Sequence, residues 1–275
     1  MSIRLSRNGD IEIAYETFGA ASGRPLLLLQ GASAPMEGWP DGFCATLVDR
    51  GFHVARCDNR DAGRSSRATE PYTLTDMALD SLSVMDALGW PAAHVVGVSL
   101  GGMIAQVMAA RHRDRVLSLT SMCSAPDASF RRSKLSTLVR FALLTGRAPS
   151  TPEASGERLV KLLRLVGSRG FPQDEEWARR TGSAGHAHRT DFAAARRQAA
   201  AARSAGDRRA ELATITAPTL VLSGGVDPVQ PPRAGKATAD AIPGARFVVH
   251  PGLGHDLPPG LWSAFADDIA ELARG

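Results

Sequence analysis

The 275-residue sequence lacks a long hydrophobic run, and its few cysteines follow no recognisable pattern. The apolar run at residues 25–29 is far shorter than the roughly 18 residues of a membrane-spanning helix. The first twenty residues contain three acidic side chains and no apolar core, so we expect no secretory leader. Cys44, Cys57 and Cys123 form no C-x-x-C pair, which argues against a disulfide framework or a zinc site. We therefore expect a cytoplasmic protein that does not bind a membrane.

A strong excess of either charge is also missing. The chain has 32 basic and 28 acidic residues, a net charge of +4, and no stripe of alternating aromatic and basic residues. Nucleic acid is therefore not an expected partner. The charge is unevenly placed, because residues 127–211 hold 17 basic and 9 acidic side chains, whereas the rest holds 15 and 19. We hypothesise that one or two arginines of this basic segment face a pocket and favour a substrate with phenolate or carboxylate groups.

What the sequence does contain is an alternation of short apolar runs with amphipathic segments. The runs predict strands at residues 11–18, 26–29, 54–57, 94–98, 116–122, 219–222 and 247–250. Apolar residues at helical spacing predict helices at residues 75–88, 101–111 and 261–272. Strands that alternate with helices indicate an α/β fold with a doubly wound, mainly parallel sheet.

Residues 126–216 break this alternation. They contain no good strand signal, are rich in Ala and Arg, and are interrupted by glycines and prolines. We predict that residues 126–216 form a helical cap, or lid, inserted into a core formed by residues 1–125 and 217–275.

The most specific motif is Gly97-Val98-Ser99-Leu100-Gly101, which fits the pattern G-x-S-x-G. It follows a predicted strand and precedes a predicted helix, the context of a nucleophile elbow. The glycines leave room for a tight turn, which would expose the Ser99 hydroxyl at the carboxyl edge of the sheet. We therefore predict Ser99 as a nucleophile.

A serine hydroxyl needs a base to take its proton. His255 lies in a glycine-rich loop after the last predicted strand, which makes it our candidate base. For this kind of elbow the orienting acid precedes the histidine in the chain. Asp227 follows the predicted strand 219–222 and is the first candidate, and Asp127 is the second. Asp256, next to His255, is expected to point away from it.

The charge that develops on a carbonyl oxygen during attack requires hydrogen-bond donors. One donor should be the backbone N–H of Leu100, which follows the nucleophile, and the other should come from the loop after the strand 26–29. In that loop Gly31 allows the backbone to turn, and Ala32 N–H is our candidate donor.

Four stretches carry a family resemblance, namely residues 38–43, 56–65, 94–101 and 251–258. Together with the elbow and the order Ser99, Asp227, His255, they resemble the anthracycline methylesterases of the α/β-hydrolase fold. The resemblance implies an eight-stranded, mainly parallel sheet with a helical cap, and cleavage of the methyl ester of an aromatic polyketide. It implies the same nucleophile, acid, base and oxyanion donors. Nothing in the sequence suggests a metal or an organic cofactor.

The substrate is expected to be a small ester, with a flat aromatic body, bound by a monomer or homodimer. Gln30 departs from the family pattern, and its amide would either contact the substrate or brace the oxyanion loop. Aromatic side chains of the insertion and of the oxyanion region would form walls for a flat ligand. The predicted substrate-binding residues are Gln30, Gly31, Trp39, Phe130 and Trp177.

Other activities use the same three residues. A lactonase, a C–C bond hydrolase, a cofactor-free perhydrolase or haloperoxidase and an acyltransferase all stay open as alternatives. Epoxide and haloalkane hydrolases are disfavoured, because they need a carboxylate where this chain has Ser99. A different class of alternative is a non-catalytic binding protein or a cyclase that uses only the pocket of this fold.

Overall fold

The computed structural model describes residues 2–128 and 148–275, and its centre is one eight-stranded sheet. In chain order the strands are β1 Arg4–Asn8, β2 Ile11–Phe18, β3 Arg24–Leu29, β4 Phe52–Cys57, β5 Ala93–Val98, β6 Val116–Met122, β7 Thr219–Gly224 and β8 Arg246–His250. Their order across the sheet is β1-β2-β4-β3-β5-β6-β7-β8. Only the pairs β1–β2 and β2–β4 are antiparallel. The predicted α/β fold with a mainly parallel sheet is confirmed.

The helices cover both faces of this sheet. Among the described residues they are α1 Asp41–Val48, α2 Leu74–Ala87, α3 Leu100–Arg111, α4 Pro152–Val166, α5 Glu175–Ala184, α6 Phe192–Ser204, α7 Arg209–Leu212, α8 Pro232–Ala241 and α9 Trp262–Leu272. No helix in the described ranges is both long enough and apolar enough to cross a membrane.

The continuous apolar run of β3 is explained by burial on both faces of the sheet. Leu27 and Leu29 pack into a core with side chains of α2 and α3, whereas Leu26 and Leu28 pack into a second core with α1 and α9. All four leucines are completely buried. Successive side chains of a strand point to opposite faces, so a run without alternation is what a central parallel strand requires.

Three elements are not among the sequence predictions: β1, α1 and α8. The edge strand β1 has one buried side chain, Ser6, and its single apolar side chain, Leu5, is exposed, so it carries no apolar alternation. Glycine within α1 and α8 weakens their helix signal. These elements form because the neighbouring sheet and helices cover one side of them.

Between β6 and β7 the described residues form α4, α5, α6 and α7 and no strand. The predicted wall residue Phe130 lies outside the described residues. Division of the chain into a core and a cap stays a prediction.

The loop after β4 supports the carboxyl edge of the sheet. Asp58 is buried and accepts hydrogen bonds from the backbone N–H groups of Met36, at 2.6 Å, and Arg64, at 2.8 Å. Burial raises the pKa of Asp58 to about 6 despite these bonds. Gly63 has a φ of +51°, and a Cβ at this position would collide with the Asp58 carboxylate. Only glycine fits here because of both its backbone conformation and its lack of a side chain.

Candidate active site

The carboxyl ends of five parallel strands bring the chemistry-bearing residues to one edge of the sheet. The loop with Gly31 follows β3, Ser99 follows β5, Cys123 follows β6, Asp227 follows β7 and His255 follows β8. This edge is the usual location of ligand sites in open α/β sheets.

Ser99 occupies the turn between β5 and α3 in a conformation that non-glycine residues rarely adopt. Its φ is 55° and its ψ is −117°. Two bonds hold this backbone in place: Ser99 N donates to Met122 O at 2.9 Å, and Ser124 Oγ donates to Ser99 O at 2.7 Å. Strained backbone of this kind occurs where the surrounding structure imposes it, and here it lies at the carboxyl edge of the sheet.

The glycines on either side of Ser99 are required by close packing. A Cβ on Gly97 would collide with the carbonyl oxygen of Gly101, and a Cβ on Gly101 would collide with the carbonyl oxygen of Leu29. Both obstacles are backbone atoms, which cannot move aside as a flexible side chain can. The G-x-S-x-G pattern is therefore a steric requirement of this turn.

We expect Gly97→Ala to destabilise the protein by more than about 2 kcal/mol, because the new methyl group overpacks a rigid turn. Gly185→Ala is the matched control, since an added Cβ meets nothing within 4 Å there and the φ of −75° is ordinary. Urea unfolding of both variants measures the difference. Equal stabilities would contradict the steric explanation.

Asp227 and His255 form a hydrogen-bonded pair. His255 Nδ1 lies 2.7 Å from Asp227 Oδ2. The other carboxylate oxygen of Asp227 accepts from the backbone N–H groups of Val229, at 2.7 Å, and Gln230, at 2.8 Å. A carboxylate only accepts hydrogen bonds, so Nδ1 carries the proton and Nε2 is the nitrogen able to act as a base.

The electrostatic surroundings of His255 favour its protonated form. Burial would lower its pKa, but the charge of Asp227, its hydrogen bond and the charge of Asp256 together raise the pKa above the ordinary 6.5. A group with a raised pKa is a stronger base once it is neutral. This shift is the electrostatic property expected of a histidine that takes a proton from a hydroxyl.

Cys123 lies beside this pair and was not singled out by the sequence. Its sulfur and one ligand atom each of Asp227 and His255 lie within 4.8 Å of one another. Burial, followed by the charge of Asp227 and a hydrogen bond to it, raises the pKa of Cys123 well above its ordinary value. A thiol binds a metal as the thiolate. Because the raised pKa keeps Cys123 protonated, the group of Cys123, Asp227 and His255 suits hydrogen bonding around Asp227 better than metal binding.

The structure places the loop after β3 next to Ser99. A Cβ on Gly31 would lie 3.3 Å from Ser99 Cβ and 3.8 Å from Ser99 Oγ. Among the described residues, no hydrogen bond joins Ser99 Oγ to His255. Catalytic hydrogen bonds are often long without substrate and tighten in the complex.

The backbone N–H groups of Ala32 and Leu100, both near Ser99, have no protein acceptor within the described ranges. Leu100 is the first residue of α3, where a helix leaves its N–H groups unpaired and its dipole positive. The N–H of Gly31 is not available, because the Gln30 side chain accepts from it at 2.6 Å. The side-chain oxygen of Gln30 therefore holds the backbone of this loop.

The predicted wall residues are in different environments. Trp39 is completely buried and stacks on Phe43 with ring centroids 5.7 Å apart, so it packs the core and offers no exposed wall. Trp177 is half-buried on α5, and its backbone N–H donates to Asp174. These packing contacts could not be derived from sequence spacing.

The insertion contacts the histidine loop directly. His255 N donates to Val166 O at 2.7 Å, just at the end of α4. Ser168 donates through its N–H, at 3.0 Å, and its hydroxyl, at 2.5 Å, to Asp256. Gly254 N in turn donates to Ser168 Oγ at 3.0 Å. The backbone on both sides of the imidazole is therefore held by residues outside the sheet.

Comparisons with known proteins agree with this architecture. The α/β hydrolase fold family matches residues 24–258. The chain is 35% identical to a rhodomycin D methylesterase of Streptomyces sp. (strain C5), and 34% identical to one of Streptomyces peucetius. Each comparison covers 100% of this chain and 99% of the relative. A solved hydrolase from Pseudomonas aeruginosa PA01 superimposes with a TM-score of 0.80 at 27% identity, over 99% of this chain and 98% of that one.

Proposed function

The chain belongs to the α/β-hydrolase fold family and is a carboxylic ester hydrolase, and from these premises we propose that it cleaves the methyl ester of an aromatic polyketide through an acyl-enzyme on Ser99. The observation that carries the choice of substrate is the full-length similarity to two rhodomycin D methylesterases. The assignment of Ser99 is supported by its strained turn beside the Asp227–His255 pair.

In the proposed mechanism, Ser99 Oγ attacks the ester carbonyl while His255 Nε2 takes the hydroxyl proton. The oxyanion is held by the N–H groups of Ala32 and Leu100. His255 then gives the proton to the departing methoxide oxygen, which leaves as methanol as the tetrahedral intermediate collapses to the acyl-enzyme. A water molecule, activated by the same nitrogen, attacks the acyl-enzyme and releases the acid and Ser99. Asp227 fixes the imidazole tautomer and stabilises the imidazolium.

The flat aromatic body of the substrate, a monomeric or homodimeric state and a cytoplasmic location belong to the same proposal. The arginines of the insertion are partly occupied by acidic neighbours, since Arg164 and Arg179 each pair with Glu175. Arg180 pairs with Glu176 and Arg209 with Asp207. Such pairs are mainly solvent-exposed and screened. They reduce the number of arginines left to contact an anionic substrate.

A panel of substrates separates this proposal from its alternatives. We expect hydrolysis of an anthracycline-type methyl ester with kcat/KM at least about tenfold above that of an aryl acetate, because contacts to the rest of the polyketide would contribute binding energy at the transition state. The matched control is the free acid, which cannot turn over. A preference for a lactone, a C–C bond or peracid formation would favour the alternative enzymes. Binding without turnover of any ester would favour a non-catalytic binding protein.

A further inference from the structure

The turn that carries Ala32 contains a second strained serine. Ala34 N donates to Gly31 O at 3.4 Å, which closes a four-residue turn around Ala32 and Ser33. Ser33, the third residue of this turn, has a φ of +62°. A positive φ at this position normally selects Gly or Asn. A serine there needs support from outside the turn.

Two side chains between β6 and β7 provide that support. Gln198 Oε1, on α6, accepts a hydrogen bond from Ser33 N at 2.7 Å. Thr190 Oγ1 donates to Ser33 O at 3.2 Å. Both backbone polar groups of Ser33 are therefore bound by one segment. The orientation of the Ala32–Ser33 peptide is fixed from a part of the chain more than 150 residues away.

The Gln198 side chain has no contact with solvent, and both ends of its amide bind the protein backbone. Its side chain is completely buried, and its Nε2 donates to Arg60 O at 2.8 Å. Both ends of the amide are thus paired, which a buried polar group requires. Gln198 links the turn after β3 to the loop after β4.

On the N-terminal side of Ala32, the backbone is held by Gln30 and by Asn59 from the loop after β4. Gln30 accepts from Gly31 N at 2.6 Å, and Asn59 Nδ2 donates to Gln30 O at 2.8 Å. Side chains therefore fix the Gln30–Gly31 and Ala32–Ser33 peptides. These two peptides flank the Gly31–Ala32 peptide, whose Ala32 N–H is free within the described residues.

We propose that Gln198 is a positioning residue that holds the Ser33 turn so that Ala32 N–H is aimed at the developing oxyanion. The inference rests on the proposed function, because it concerns the rate of ester cleavage. It gives the helical segment between β6 and β7 a part in that rate as well as in substrate choice. Gln198 does not touch the substrate carbonyl. Its effect passes through the Ala32 N–H and is largest when charge develops on the carbonyl oxygen.

The test uses Gln198→Met, which keeps side-chain length and removes both hydrogen bonds. With p-nitrophenyl acetate we expect kcat to fall about 10- to 100-fold, a fraction of the effect of deleting an oxyanion donor, with KM changed less than about threefold. The rate of reaction with a fluorophosphonate should fall in parallel, because its phosphoryl oxygen takes the oxyanion position.

Arg197→Met is the matched control. Arg197 precedes Gln198 on α6 and binds the buried Asp61 carboxylate at 2.7 Å, so its loss loosens the same helix without touching the turn. We expect this variant to lose thermal stability and keep kcat within about threefold of the wild type. Thr190→Val, which removes only the bond to Ser33 O, should lower kcat by a smaller factor than Gln198→Met. It serves as the readout if Gln198→Met does not fold.

A rescue distinguishes positioning from general damage. Adding Ser33→Gly to Gln198→Met supplies a residue that adopts a positive φ without strain, and kcat should recover by at least about threefold. Unchanged kcat in Gln198→Met would overturn the proposal. So would a loss of kcat that Arg197→Met reproduces and Ser33→Gly does not repair.

The wild-type protein separates this proposal from the proposed function. If wild-type protein neither cleaves p-nitrophenyl acetate nor reacts with the fluorophosphonate, the assignment of Ser99 fails first. If the wild type does both and Gln198→Met behaves identically, only the positioning role of Gln198 fails.

Discussion

Ser99→Ala is expected to lower kcat for methyl ester hydrolysis by at least about 10⁴-fold, because removal of the nucleophile leaves only binding and the oxyanion donors. Substrate binding should persist, since the hydroxyl contributes little to ground-state affinity. The Ser99 backbone is held by Met122 and Ser124, so the turn should keep its shape with alanine. Steady-state kinetics and calorimetric titration of the variant measure the two quantities.

Ser263→Ala is the control for this variant. Ser263 is exposed on α9, where its hydroxyl contacts Arg50 and Asp267. The same chemical change at this position should leave kcat within about twofold, as for most surface substitutions. Wild-type activity in Ser99→Ala would remove the acyl-enzyme mechanism.

Asp227→Asn is expected to produce the second large effect, a fall in kcat of about 10⁴-fold. An asparagine amide donates to Nδ1 and so stabilises the tautomer whose proton sits on Nε2. That nitrogen could then no longer accept the serine proton. The backbone N–H groups of Val229 and Gln230 can donate to the Asn oxygen as they donate to the carboxylate, so the loop should stay folded.

The pH dependence of kcat/KM tests the role of Asp227 through the direction in which its acidic limb moves. Activity requires neutral His255, whose pKa is raised above 6.5 chiefly by Asp227 against the opposing effect of burial. The acidic limb of kcat/KM for the wild type should therefore lie above pH 6.5. In Asp227→Asn the raising charge is gone and burial dominates, so the residual activity should have its acidic limb at lower pH. A limb that stays in place would contradict the electrostatic role of Asp227.

The central sheet could be predicted because parallel strands leave strong signals. Strands such as β6 and β7 are buried on both faces, and turn residues mark their ends. The edge strand β1 could not be predicted, because its pairing with β2 and not its own composition makes it a strand.

The predicted chemistry depended on the same logic. Because carboxyl ends of parallel strands meet at one edge, Ser99, Asp227 and His255 could be nominated from their positions after strands. Their mutual contacts could not be predicted, because a sequence does not give the distances between side chains. The structure selects Asp227 as the carboxylate that binds His255.

The contacts that hold the turn around Ala32 and Ser33 could not be predicted from the sequence. Gln198 lies on the buried face of α6 with Ala194, Ala201 and Ala202, at helical spacing. It is the single polar residue on this otherwise apolar face, and a lone polar residue there indicates a buried hydrogen-bonding role. What it binds could not be known, because its partner Ser33 is 165 residues away in the chain.

The burial of Trp39 shows a second limit. Its position beside the oxyanion loop favoured a substrate wall, but its ring stacks on Phe43 within the core. Neighbours in sequence do not reveal whether a side chain points toward the site or away from it.

The most direct test of the account is to label the wild-type protein with a fluorophosphonate and map the adduct by mass spectrometry. The account predicts one adduct per chain on the peptide that contains Ser99, no adduct in Ser99→Ala, and loss of ester hydrolysis in proportion to labelling. An adduct on another residue, or full ester hydrolysis by protein that carries the label on Ser99, would contradict it.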